Sequence, residues 1–139
     1  MVHGPGAKVT PDLLSPDQAQ ALSPIALAYI GDAVYELFVR RSFLLPPKRI
    51  QAYHRQVVHQ VRAEQQSRCL DQLLPCLTPH EQDILRRGRN ASPRGPKRLE
   101  GATYQRATGF EALIGYLYLT DPPRLGDLLN QISFFPEDG

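Results

Sequence analysis

Apolar positions along this chain recur at three- and four-residue spacing, and nowhere do they alternate with period two long enough to demand a strand. The stretch "PIALAYIGDAVYELFVRRSFL", about Pro24 to Leu44, reads as a helix that opens at Ser23-Pro24 and is stopped by Pro46-Pro47. Ahead of it, Ser15 followed by Pro16 marks a shorter helical start. Beyond the prolines, Ile50, Tyr53, Val57, Val61, Leu70 and Leu74 line one face, which predicts a single long helix broken before Pro75. Thr78, Pro79 and Glu81 form a capping-box signature for a helix reaching Arg87 or beyond. "SPRGPKRLEG" predicts a loop, Ala102 to about Leu119 a helix, and Pro123 to about Ile132 a last short one. The expectation is an all-α helical bundle of six or so helices without internal repeat. Residues 1–15 read as a flexible arm, 16–135 as one domain, and about 88–102 as a mobile basic loop.

Composition narrows this picture only a little. With 139 residues, 42% of them apolar and 22% charged, the chain has the make-up of one folded domain rather than a disordered one. Cys69 and Cys76 lack the paired spacing of a zinc cradle and read as packed free thiols. The N-terminus has no secretory or transit pattern and no stretch is apolar enough to span a membrane, so a cytoplasmic protein is expected. The net charge of +2 says little about partners until the positions of the charges are considered.

Three places raise a chemical question. Gly31-Asp32 sits in the middle of an otherwise strong helix, where glycine costs about 1 kcal/mol. Asp32, Glu36 and Arg40 are four apart and share a side, which suits a solvated charged stripe; Asp32 also reads as an N-cap between two helices. In "ATGFEALIGYLYL", Glu111 stands among small and apolar residues, where a carboxylate is costly unless solvated, paired or bound to a cation. Were the two helices packed together, Asp32 and Glu111 would form an acidic pocket of the hard-oxygen kind that suits Mg²⁺. Third, Arg86, Arg87, Arg89, Arg94, Lys97 and Arg98 crowd into one segment without an acidic residue, while the rest of the chain reads as near neutral or acidic. Beside an acidic metal pocket, such a segment would clamp a polyanion. The His80-Glu81 pair does not continue as a zincin helix, since Ile84 stands where the second histidine is needed, and no phosphate-binding glycine loop or nucleophile elbow is present.

Taken together, "LAYIGDAVYE", "RRGRNA" and "YQRATGFEALIGYLYL" resemble the ordered motifs of the ribonuclease III family, and most of all its stand-alone Mini-ribonuclease III version, which lacks a double-stranded-RNA-binding domain. The resemblance runs over about residues 17–133. It implies the ribonuclease III endonuclease-domain fold as a homodimer, with Asp32 and Glu111 as the catalytic, metal-binding pair and Mg²⁺ as cofactor, Mn²⁺ substituting. Other acidic positions of the family correspond to Ile25, Ala28 and Thr108 here, a departure the stand-alone group shares. Glu36 and Glu64 are weaker candidates for the pocket wall. The implied reaction is hydrolysis of double-stranded RNA, with maturation of the large-subunit (23S) ribosomal RNA precursor as the task and a large-subunit ribosomal protein as a possible further partner. The competing reading is a non-catalytic RNA-binding or ribosome-associated module on the same fold; a third is a purely structural helical dimerisation domain.

Overall fold

Ser15, Ser23, Thr78 and Asp121 each turn a side-chain oxygen onto a free backbone amide, and with proline in the first turn behind each of them they start four helices. A computed structural model of the chain describes residues 12–92 and 101–135, and among them are seven α-helices, one 3-10 turn and no strand. The helices are α1 (Pro16–Gln20), α2 (Pro24–Phe43), α3 (Ile50–Gln60), α4 (Ala63–Leu73), α5 (Pro79–Ala91), α6 (Gly101–Thr120) and α7 (Pro122–Leu129), with the 3-10 turn at Leu74–Cys76. The all-α expectation holds.

α6 is the axis of the bundle. It packs against α2, α5 and α4, and more lightly against α1 and α7. Residues 107–110 and 112–117 are buried without a break, so the helix has no polar face over this stretch except at Glu111. Around it lie Tyr35 and Val39 of α2, Leu70 and Leu73 of α4, Ile84 of α5 and Leu128 of α7. Tyr35 meets Phe110 edge to face with ring centroids 5.2 Å apart.

The α2–α6 crossing is set by two glycines. A Cβ on Gly31 would lie 1.8 Å from the Glu111 carbonyl oxygen, and one on Gly115 would lie 2.0 Å from that of Leu27. Each backbone therefore occupies the space a side chain of the other would need. The glycine that weakens α2 locally is what lets α6 press against it.

The predicted long helix from the Pro46-Pro47 turn to Pro75 is in fact two. Val61 closes α3 and Arg62 is extended (φ −65°, ψ 152°) before α4 begins. No proline or glycine marks the break. It is held by a local side-chain bond across the break, in which Gln66 Nε2 donates to the Val61 carbonyl five residues back (3.1 Å). α7 ends at Leu129, short of the expected Ile132.

The flexible-arm expectation fails at residue 14: Leu14 packs on the core and its amide donates to the Leu119 carbonyl at 2.8 Å. Residues 1–11 lie outside the described residues. The basic-loop boundaries also contract, because α5 continues to Ala91 and α6 begins at Gly101. Arg124 of α7 donates through Nε and Nη2 to the buried Glu81 carboxylate, each at 2.8 Å. These bonds, with the Thr78 capping amide, hold Glu81 below the usual carboxylate range, so the pair ties α7 to the start of α5 through neutral pH.

Candidate active site

Asp32 is exposed on α2 and Glu111 is half-buried on α6, each next to the glycine contact that joins the helices. Their side chains lie close enough for Asp32 to act on the Glu111 carboxyl through both hydrogen bonding and charge. Two carboxyls in that relation cannot both be ionised without cost. Burial first, then the bond to Asp32 and its charge, push Glu111 up to about 8, while a hydrogen bond from Gln66 works in the opposite direction. Gln66 Nε2 donates to Glu111 Oε2 at 3.3 Å. The pocket is thus built by three helices: α2 supplies Asp32, α6 supplies Glu111, and the first turn of α4 supplies Gln66.

The donor set fits a small hard cation that keeps much of its water. Mg²⁺ is commonly held by one or two carboxylates together with substrate phosphates, and the buried Oε1 of Gln66 has no partner. Among the described residues no group of three or more His, Cys, Asp or Glu gathers that could hold a metal.

The weaker acidic candidates fall outside this cluster. Glu36 is bound to Arg40 one turn on, at 2.7 Å, both partly exposed, the i,i+4 stripe that its spacing suggests. Glu64 is exposed in the first turn of α4. Two residues from Gln66 on a helix, it projects about 200° away from the residue that touches Glu111. Thr108, where the family has an aspartate, turns its hydroxyl to the Tyr104 carbonyl and receives a bond from Ser92 Oγ, both 3.1 Å. The buried Thr108 side chain therefore joins the end of α5 to α6.

Arg86, Arg87 and Arg89 are exposed in the last two turns of α5. Arg86 and Arg89 share a side at i,i+3, Arg87 stands about 100° round, and Gly88 between them faces α6. Arg86 also pairs with Asp83. Arg94, Lys97 and Arg98 lie outside the described residues. The sequence reading missed a second basic region. Residues 48–68 hold Lys48, Arg49, Arg55, Arg62 and Arg68 against one acid, Glu64, so the rest of the chain is not uniformly neutral. These residues are spread over α3, α4 and the residues leading into each instead of being contiguous, and the bend at Arg62 turns the chain into α4, whose Gln66 reaches the acidic pair. Gln66 was missed as well, because a lone glutamine in a polar run carries no signal until its burial is known. Among the described residues no helix is long and apolar enough to cross a membrane.

The family described as "Ribonuclease III domain" matches residues 25–122. A Mini-ribonuclease 3 of Thermosynechococcus vestitus is 57% identical over 115 residues, covering 83% of this chain and 76% of its own length. A Mini-ribonuclease 3 from a Synechococcus strain is 56% identical over 119 residues, 86% of each chain. In three dimensions the chain is similar to a Fusobacterium nucleatum protein solved by X-ray crystallography: TM-score 0.72, 28% identity, covering 78% of this chain and 90% of that one.

Proposed function

Because this chain belongs to the ribonuclease III family, and within it to the Mini-ribonuclease 3 group, it is a ribonuclease III-type endoribonuclease, and we propose that it hydrolyses double-stranded RNA with Mg²⁺ held between Asp32 and Glu111. The observation that carries the site is the pair itself: two carboxyls close enough to act on one another in a half-buried pocket, with no basic side chain bonded to either among the described residues. Such a pair is unfavourable in a resting fold and becomes favourable when a divalent cation replaces the shared proton. When bound, the cation supplies a water of lowered pKa and positive charge against the scissile phosphate. Asp32, on the exposed side, faces the arriving backbone; Glu111, fixed from behind by Gln66, keeps the second carboxylate in place. Mn²⁺, which shares the preference for oxygen ligands, substitutes for Mg²⁺.

Binding follows from charge and shape. A-form RNA hides its major-groove edges, so recognition rests on phosphates and 2′-hydroxyls, which the arginines of α5 and the following segment reach without reading sequence. Replacing Arg86, Arg87 and Arg89 together by alanine is expected to weaken duplex binding and to flatten its salt dependence, with the slope falling by up to about 0.9 per lost phosphate contact. Binding isotherms at four salt concentrations check this; an unchanged slope assigns the grip to residues 48–68 instead.

The active form in this reading is a homodimer. α2 exposes Ile25, Tyr29 and Leu37 at four- and eight-residue spacing, Tyr29 at 84% and Leu37 at 67%, an apolar stripe that flanks Asp32. A second copy seated there would set two acidic pockets against the two strands of one duplex. Tyr29→Glu with Leu37→Glu is expected to convert the wild-type dimer to a monomer by light scattering and to abolish paired cleavage. In the cell, we take the duplex to be a stem of the large-subunit (23S) ribosomal RNA precursor, with a large-subunit ribosomal protein assisting; membership of the group is the support for this.

The direct test of the activity is incubation of the purified protein with a long RNA duplex, the corresponding single strand and the DNA duplex, each with Mg²⁺ or with EDTA. Short double-stranded products from the RNA duplex with Mg²⁺ alone are expected. No cleavage of that duplex under any cation would leave an RNA-binding module.

A further inference from the structure

Gln66 is 3% exposed, and its amide is divided between two kinds of surroundings. Nε2 donates to Glu111 Oε2 at 3.3 Å and to the Val61 carbonyl at 3.1 Å. Oε1 is buried and accepts nothing. Leaving such an acceptor unpaired is unfavourable, and a leucine or methionine of similar size would fill the space without that cost. Since Nε2 and Oε1 are joined through one carbon, the unpaired oxygen sits in the immediate neighbourhood of the Asp32–Glu111 pair. A group that is uncompensated in the protein alone is compensated by a ligand that brings a donor.

We infer that Gln66 is a positioning residue of the cation site: Nε2 holds the Glu111 carboxylate, and Oε1 accepts a hydrogen bond from the cation's hydration water. This rests on the proposed role of Asp32 and Glu111. It also accounts for how a pocket with two carboxylates, and no third acidic or histidine ligand among the described residues, grips a hydrated ion. Partners of this kind fix the orientation of metal ligands and waters, and their loss typically weakens metal affinity about 10–100-fold.

The test is calorimetric titration of the whole protein with Mn²⁺ in the absence of RNA, for wild type, Gln66→Leu and Asp32→Asn, with melting in EDTA as the check on folding. Gln66→Leu is expected to weaken Mn²⁺ binding by about tenfold or more, and since it also gives up the bond to the Val61 carbonyl, melting in EDTA serves only to show that it is folded at the titration temperature. If the leucine variant is not folded there, Gln66→Met makes the same comparison. Unchanged affinity in the apolar variant while Asp32→Asn loses binding overturns the role of Gln66 and leaves the site standing. Equal affinity in wild type and Asp32→Asn overturns this inference and the site together.

Discussion

Asp32→Asn and Glu111→Gln are each expected to reduce cleavage of an RNA duplex by more than about a thousandfold while leaving its binding intact. A thousandfold corresponds to about 4 kcal/mol of transition-state stabilisation, a reasonable share for a carboxylate in the proposed role of cation ligand. In the proposed reading the grip is made by basic side chains and not by the pair, so binding should survive; removing a negative charge from beside a phosphate favours association. The Glu111 change has a second expected signature. Its folded pKa, about 8, lies above the ordinary value of 4.5, so in cation-free protein it contributes stability below about pH 4.5 that is lost as the pH rises through 8. Glu111→Gln removes that loss. In EDTA it is expected to melt above wild type at pH 8.5 and to show little advantage at pH 5, whereas Asp32→Asn, by releasing Glu111 from its like-charged neighbour, should raise the melting point in the same direction. The same substitutions at Glu36 and Glu64 should leave cleavage within about threefold, since neither gathers with the pair into a metal-holding cluster. Cleavage by Asp32→Asn within tenfold of wild type would remove Asp32 from the site.

How much of this was legible beforehand depended on whether the signal was local. Helix starts at Ser15, Ser23 and Thr78 are written in the residues that make the caps, and all three occur as read. The meeting of Asp32 with Glu111 was inferable because small residues surround each acid, and small residues admit a neighbouring backbone. The α3–α4 break was not, since Val61-Arg62 has no intrinsic breaker and the bond that stabilises the bend comes from Gln66 after the fold forms. For the same reason the third member of the pocket was invisible. Its position depends on that bend, and with Glu64 two residues earlier the acidic residue drew attention that belonged to the amide. Leu14 was misread because the composition around it is that of a loose end, while its contact, the carbonyl of Leu119, lies at the far end of the chain.

Gly31→Ala is expected to be the most damaging conservative change in the protein. The added methyl would fall 1.8 Å from the Glu111 carbonyl oxygen and 2.7 Å from its carbon, against backbone that cannot rotate away. Relief requires α2 and α6 to separate by on the order of an ångström along their whole contact, where interiors are packed closely enough for a single methylene to be felt. A cost above about 4 kcal/mol follows, in the range where a single substitution unfolds a marginal domain. Intrinsic helix preference argues the other way, because alanine favours α2 by about 1 kcal/mol over glycine, so the sign of the result separates packing from propensity. Gly126→Ala is the control: it lies within α7 with nothing within 4 Å of the new Cβ, and it is expected to raise stability by up to about 1 kcal/mol. Urea unfolding of both variants makes the comparison, and a Gly31→Ala protein as stable as wild type would show that the helices cross with room to spare. Where enough folded Gly31→Ala remains to assay, its cleavage should fall with the stability, since the separation that relieves the methyl also draws Asp32 away from Glu111. The residue that looked like a flaw in α2 is then what fixes the distance between the two acids.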